Sequence, residues 1–429
     1  MRRSTITLLA ATLFATPASA QGLRDIVTDL FRFGNGCNTP ICLSVDGAHG
    51  NHFNPAAQAG GDNLITLLTS AIAANAANLP ISAASSGSIW GKSADGLPVR
   101  TRTSSGPIFA ERAQTIGKGH LLIGANVSRF DFQSFRGLPL NNLEFNFPHE
   151  DEPPAGLGNP AFENDYIAVQ TKLAIHTTAL TGFVTYGLGR RIDVSVAVPF
   201  VRTSLSGSSV AQVISFVNPT PHFFGTATNP LLRVATSASG SATGIGDIAA
   251  RLKVGFPQTG RIGVALLADA RLPTGNVDDF LGSGELSLRG LAIASARYGN
   301  FAPHMNVGYA HRGGANQNDA FLATLGFDHL LAPWVTFAAD AITEWSVGAE
   351  KISIPVPFLL TIPLGGATSV RSVDRTNFPN RRDHVLLGSF GAKFTTPAGV
   401  TVVTNLLVPV RFGGLQPNIA WTTGLEYSF

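Results

Sequence analysis

Asn418-Ile419-Ala420-Trp421-Thr422-Thr423-Gly424-Leu425-Glu426-Tyr427-Ser428-Phe429 ends the chain. Ile419, Trp421, Leu425, Tyr427 and Phe429 share one parity, interrupted only by Thr423; Asn418, Ala420, Thr422, Gly424, Glu426 and Ser428 share the other. Successive side chains on a strand point to opposite faces, so this stretch is a strand with one apolar and one small or polar face.

The same period of two recurs upstream to about residue 119. Ile192, Val194, Val196, Val198 and Phe200 stand opposite Arg191, Asp193 and Ser195, and Ile248, Ala250, Leu252, Val254 and Phe256 opposite Asp247, Arg251 and Lys253. Ile262, Val264, Leu266, Ala268, Ala270 and Leu272 oppose Asp269 and Arg271; Met305, Val307 and Tyr309 oppose His304, Asn306 and Arg312. A soluble sandwich also alternates, so periodicity alone does not separate it from a membrane barrel. Connection lengths do. Short turns at 189–190, 257–260, 298–300, 331–334 and 397–399 alternate with long connections at about 134–163, 205–242, 273–284 and 350–383, the asymmetry of an outer-membrane barrel.

Composition agrees. The 429 residues carry 30 Lys+Arg and 27 Asp+Glu, 13% of the chain, about half the usual share for a soluble protein. Net charge is +3 without a basic block, which gives no reason to expect nucleic-acid binding. After residue 20 no apolar run reaches the length of a membrane helix. The expected fold is therefore an all-β antiparallel transmembrane barrel of about twelve strands, over 119–429. The strands are placed near 119–133, 164–187, 191–204, 243–256, 261–272, 284–297, 301–312, 319–330, 334–347, 384–396, 400–411 and 418–429. Girdles of such barrels favour Tyr and Trp, yet the chain has 28 Phe, 5 Tyr and 4 Trp.

Residues 1–20 read as a secretory signal peptide: Arg2 and Arg3, an apolar stretch from Ile6 to Ala15, and Ala18-Ser19-Ala20 at the end. Export frames Cys37 and Cys42, the only two cysteines, as a small structural disulfide rather than a metal or redox site. Residues 21–118 hold one short helix at about 62–78 and are poor in charge. Two readings stand, a plug inside the barrel and a periplasmic tail, and the apolar composition favours the plug. Gly87-Ser88-Ile89-Trp90-Gly91-Lys92-Ser93 is one residue short of a P-loop and reads as a Gly/Ser-rich loop.

Turning the polar parity inward places Lys172, His176, Asp193, Asp247, Arg251, Lys253, Asp269, Arg271, Glu285, Arg289, His304, Arg312, Asp340, Glu344 and Lys393 in the lumen. Mixed signs fit a paired polar core or a wet or plugged conduit, rather than a wide ion-selective pore. The apolar, Pro-rich stretches 216–224 and 352–364 offer Phe216, Phe223, Phe224, Phe358 and Leu359 as substrate-capture candidates, against the alternative that they pack on one another. The run His149-Glu150-Asp151-Glu152 reads as a solvated loop rather than a cation site. Pro199 and Pro409, which donate no ladder hydrogen bond, mark places for a break or bulge.

Tyr427 and the terminal Phe429 resemble the C-terminal recognition signal of proteins handed to the bacterial barrel-assembly machinery. Tyr186-Gly187-Leu188-Gly189-Arg190-Arg191-Ile192-Asp193-Val194-Ser195-Val196-Ala197-Val198-Pro199, then Gly244-Ile245-Gly246-Asp247-Ile248-Ala249-Ala250-Arg251-Leu252-Lys253, then Arg271-Leu272-Pro273-Thr274-Gly275, resemble in order and spacing the outer-membrane proteins of the phenol meta-cleavage pathway. More loosely the chain is similar to the long-chain fatty acid transporter group, whose Asn-Pro-Ala element Asn54-Pro55-Ala56 echoes. The resemblance implies an outer-membrane barrel that passes hydrophobic compounds. The expectation is a monomeric or weakly oligomeric channel for passive uptake of small hydrophobic or aromatic compounds, in contact with lipid and lipopolysaccharide and without cofactor or metal. The competing classes are a structural or adhesin-type barrel and an outer-membrane lipid hydrolase. No Gly-x-Ser-x-Gly or His-Glu-x-x-His motif supports the last of these.

Overall fold

The structure, a computed structural model, describes residues 22–33, 40–45, 53, 64–76, 89–92, 98–101, 104–149, 165–216, 222–258, 260–314, 317–364 and 367–429. Twelve antiparallel strands close into a barrel. They are β1 (Leu121–Phe135), β2 (Asp165–Gly187), β3 (Ile192–Ser215), β4 (Ala249–Gly255), β5 (Ile262–Arg271) and β6 (Ser287–Ala296), then β7 (Phe301–Arg312), β8 (Ala320–Ala332), β9 (Val335–Ser346), β10 (Val385–Thr395), β11 (Val400–Arg411) and β12 (Leu415–Ser428). Each pairs with its neighbours in chain order, and β12 pairs with β1 to seal the ring. At the seam Phe429 and Leu121 exchange backbone hydrogen bonds, and the Tyr427 and Phe429 rings meet edge to face at 4.6 Å. The strand count and order are those expected from alternation.

The wall has the two faces required by its surroundings. Burial alternates residue by residue along β2, β3 and β5. Large apolar side chains of the outward parity stay exposed, among them Leu180, Val196, Leu266, Met305, Leu325, Leu406 and Leu425. A continuous apolar belt of this kind is costly in water and stable in lipid. No helix among the described residues is long and apolar enough to cross a membrane; the crossing is made by strands. Tyr186, Tyr298, Trp334 and Tyr427 lie exposed near the short-turn, periplasmic end, while Tyr309 and Trp345 lie exposed toward the opposite end. The girdle therefore does use Tyr and Trp. The surplus of Phe is explained by the interior, because thirteen are buried among the described residues, including Phe130, Phe132, Phe145 and Phe147.

Three long connections carry strands where loops are expected, the first of them Leu143–Pro148, which pairs with β2. Instead of a loop at 205–242, β3 runs on to Ser215, and a further strand, Arg233–Ile245, pairs with its residues 200–212. This stretch is built from Ser, Gly, Ala and Thr, so it shows no apolar stripe although it alternates. It extends the barrel beyond the bilayer, where no apolar face is needed. The hairpin of Phe358–Leu364 and Ala367–Val373 similarly occupies the 350–383 connection.

The interior of this extracellular half is filled from the N-terminal side. Helix α1 (Leu23–Asp29), too short for a periodic signal in the sequence, and α2 (Leu64–Ala76), close to the expected 62–78, share one buried cluster with inward residues of the wall such as Phe132, Ile175, Leu205 and Leu407. The wall makes room with glycine. A Cβ at Gly207 would come 2.8 Å from Leu30 Cδ1, and one at Gly240 would come 2.9 Å from Ile26 Cγ1. Gly207→Leu with Gly240→Leu is expected to displace α1, at a cost of about 1–3 kcal/mol per site. Faster proteolysis near Leu23 with an intact barrel would show it; unchanged protection would contradict the packing. Cys42 is disulfide-bonded, whereas Cys37, residues 1–20, Asn54 to Ala56 and Gly87-Ser88 lie outside the described residues.

Candidate lumenal binding site

Residues 104–117 contain no regular element. They cross the lumen below the helices and are tied to the wall residue by residue. Glu111 and Asn306 exchange hydrogen bonds at 2.8 and 2.9 Å. Lys253 Nζ donates to Glu111 at 3.2 Å and to the Arg112 carbonyl at 3.2 Å. Asp193 accepts from the Ile116 N–H at 3.0 Å. Arg112 pairs with Asp328 at 2.7 Å, Ser104 also binds Asp328, and His304 bridges Asp340 at 2.7 Å and Asp328 at 3.6 Å. These charged groups are almost fully buried, so their pairing is a condition of burial.

Above this crossing lies a cavity of about 270 Å³. One side carries an inward row set by strand register, Arg251 on β4 opposite Asp269 on β5 opposite Arg289 on β6. Asp269 accepts from Arg251 at 2.7 Å and from Arg289 at 3.1 Å. Arg271 and the Arg312–Glu344 pair, at 2.6 Å, complete that side. The other side is apolar, with Phe109, Phe130, Phe132, Leu407, Leu415 and Ala420. A small molecule held here would meet an apolar wall and a few placed polar groups, the usual division of labour in ligand pockets.

The wall beside the cavity is broken. The strand Arg233–Ile245 covers β3 from residue 200 upward and β4 covers 192–197, leaving 246–248 outside the ladder. The break lies against Pro199, whose carbonyl accepts from Gly246. Exposed Phe200, Ile245, Leu272 and Leu288 place it within the apolar belt. The connection 272–286 folds inward over the gap and is held by Asp247, which accepts from the Gly275 N–H at 3.1 Å and from the Ser283 N–H and hydroxyl at 2.8 and 2.6 Å. Phe280 in this connection is buried and has φ 54, a strained conformation for a bulky residue. Pro409 also sits beside a register irregularity, at Leu386/Leu387.

Asp193, Arg251, Lys253, Asp269, Arg271, Arg289, His304, Asp340 and Glu344 lie on the inward face, and Asp247 at the break. Lys172 and His176 do not. Their even parity on β2 points outward, above the belt, where His176 pairs with Asp131 at 2.6 Å; the long β2 begins with a water-exposed polar outer face that mimics a lumenal one. The capture candidates divide too. Phe216 and Leu359 are exposed, whereas Phe223 and Phe224 are buried, Phe224 in the cluster around the helices, and Phe358 packs on Tyr166. Asp328 is absent from the expected lumenal set, although its inward parity on β8 was the signal that could have found it. Glu111 and Arg112, in a segment without periodicity, carried no signal.

At the extracellular end, outside the membrane-spanning part of the wall, Asp165 sits between His149 and His222. Burial raises its pKa, but hydrogen bonds and charge from the two rings outweigh this and bring it to about 2.

No curated protein matches the chain. Among solved structures it is similar to an outer membrane channel from Pseudomonas putida F1 (TM-score 0.42, 11% identity, 74% of this chain and 98% of that one). A FadL homologue from Pseudomonas aeruginosa follows (0.30, 10%, 73% and 89%), as does the toluene transporter TbuX of Ralstonia pickettii (0.27, 11%, 73% and 90%). The fold is established by the chain's own strand pairing. The model of the family described as "Putative MetA-pathway of phenol degradation" matches residues 167–352, which span β2 to β9 and hold all three quoted motifs. The closed barrel and its apolar belt make the chain a bacterial outer-membrane β-barrel, and over residues 167–352 it resembles this phenol-degradation family.

Proposed function

We propose that the protein is a passive outer-membrane channel for small hydrophobic or aromatic compounds, with its N-terminal segment as a plug. The observation that carries this reading is the half-apolar cavity between the barrel wall and the 104–117 crossing, beside a break in the wall. Its volume of about 270 Å³ exceeds the roughly 150 Å³ of an apolar cavity that binds benzene, and suits one substituted ring better than a long chain. Arg271 lines the cavity and precedes Leu272, whose N–H binds the Ile248 carbonyl at the foot of the break. A compound entering from outside would therefore reach the lipid side of the wall without crossing the charged layer around Lys253 and Asp328. No covalent step is required.

The outward belt meets lipid and lipopolysaccharide, and Tyr427 with Phe429 serves assembly into the membrane. The chain closes its own sheet and works as a monomer. Cells lacking the gene should take up a small aromatic compound more slowly than cells carrying it on a plasmid. Equal rates at equal outer-membrane permeability to a polar control would count against transport.

A further inference from the structure

The geometry points to a transition-metal site at the extracellular mouth, formed by His149, Asp165 and His222, for a borderline divalent ion such as Zn²⁺. The three residues come from separate segments: the end of the strand Leu143–Pro148, the first residue of β2, and the first residue of the strand His222–Thr226. Their side chains are 6%, 1% and 0% exposed. One carboxylate oxygen of Asp165 lies 2.8 Å from His149 Nδ1 and the other 2.8 Å from His222 Nδ1. One ligating atom from each residue lies within 4.8 Å of the others. The two rings are 4.7 Å apart, and Phe53 packs 4.8 Å from one and 5.1 Å from the other, closing the group from water.

Donor chemistry selects the ion. Two imidazoles with one carboxylate suit Zn²⁺ and its neighbours, whereas Ca²⁺ and Mg²⁺ take oxygen ligands. A tetrahedral ion holds such atoms at about 2.0–2.2 Å, and therefore about 3.4 Å from one another. The 2.8 Å contacts would open and the wider ones close, shifts on the order of an ångström that ring rotation supplies. Each ring ligates through an unprotonated nitrogen: where Nδ1 binds the ion, its proton moves to Nε2 of a neutral ring, or leaves to solvent from a ring that starts doubly protonated. With neutral rings the group carries one negative charge, which favours a cation. A bound ion would tie three mouth segments together and stiffen the entrance. This site is independent of the transport reading, since it neither lines the cavity nor touches the break.

The test is Co²⁺ and Zn²⁺ titration of the full chain, purified in detergent and stripped with a chelator. Expected are one equivalent of saturable binding, the visible absorption of tetrahedral Co²⁺, and its loss when Zn²⁺ displaces it. His149→Gln with His222→Gln should weaken Zn²⁺ binding at least tenfold while the barrel keeps its heat-modifiable migration on a gel. Should that double variant fail to assemble, Asp165→Asn alone serves, with the same tenfold weakening expected. Absence of saturable binding in the parent chain, or unchanged affinity in an assembled variant, would overturn the site.

Discussion

A chain lacking residues 21–117 is expected to conduct ions as an open pore, at many times the conductance of the full chain in a planar bilayer. Eight strands leave an interior that side chains can fill and sixteen leave an aqueous channel; twelve fall between, so something other than the wall must occupy the lumen. Here α1, α2 and the 104–117 crossing do so. Their removal exposes Phe132, Phe145 and Phe147 to water and strips Lys253 of its Glu111 partner at 3.2 Å. The outer belt and strand pairing do not depend on the segment, so the barrel should still form, as its altered migration with and without boiling would show. An assembled barrel with the low conductance of the parent would mean that the wall residues themselves close the lumen.

The second large effect is expected at Asp328. Its carboxylate is fully buried and meets Arg112 at 2.7 Å and His304 at 3.6 Å. Asp328→Ala leaves Arg112 buried without its carboxylate partner, a change that typically costs about 3–5 kcal/mol. The loss should appear as a lower unfolding temperature and as cleavage within 104–117. Adding Arg112→Met should recover much of it, because the stranded charge is then gone. A double-mutant cycle without coupling would show that the crossing is held by its other contacts.

How much of this was legible in the sequence follows from what each residue's environment repeats. Lipid on one side and lumen on the other impose a period of two on every crossing strand, so β7 and β11 begin and end where alternation places them. The extension of β3 and the strand Arg233–Ile245 meet water on their outer face, so alternation there carries no apolar stripe and the strands passed for a loop. The same absence of contrast misplaced Lys172 and His176. The cavity's charged side was readable because Arg251, Asp269 and Arg289 sit on crossing strands. Its apolar side was less so: Phe109 belongs to the aperiodic crossing, and Phe130 and Phe132 are apolar on an inward face, where parity predicts polar residues. They face inward because the N-terminal segment, not water, is their neighbour. Pro199 marked the break from chemistry alone, since a residue that donates no hydrogen bond weakens the ladder wherever it sits.

The proposed route takes a hydrophobic compound through the cavity and out beside Asp247. It is tested most directly by locking the 272–286 connection to the wall. A Cβ at Gly244 would lie 3.1 Å from Leu281 Cδ1, so the two positions are neighbours and Gly244→Cys with Leu281→Cys is the pair to cross-link, its closure verified before uptake is measured. Uptake of a small aromatic compound is then measured in cells carrying the oxidised and the reduced variant. The parent chain under the same reductant controls for its own disulfide. Uptake should stay near the level of cells without the protein while the lock is closed, and recover to the parent's rate on reduction. Equal uptake by the oxidised and reduced variant, with the cross-link verified, would contradict it.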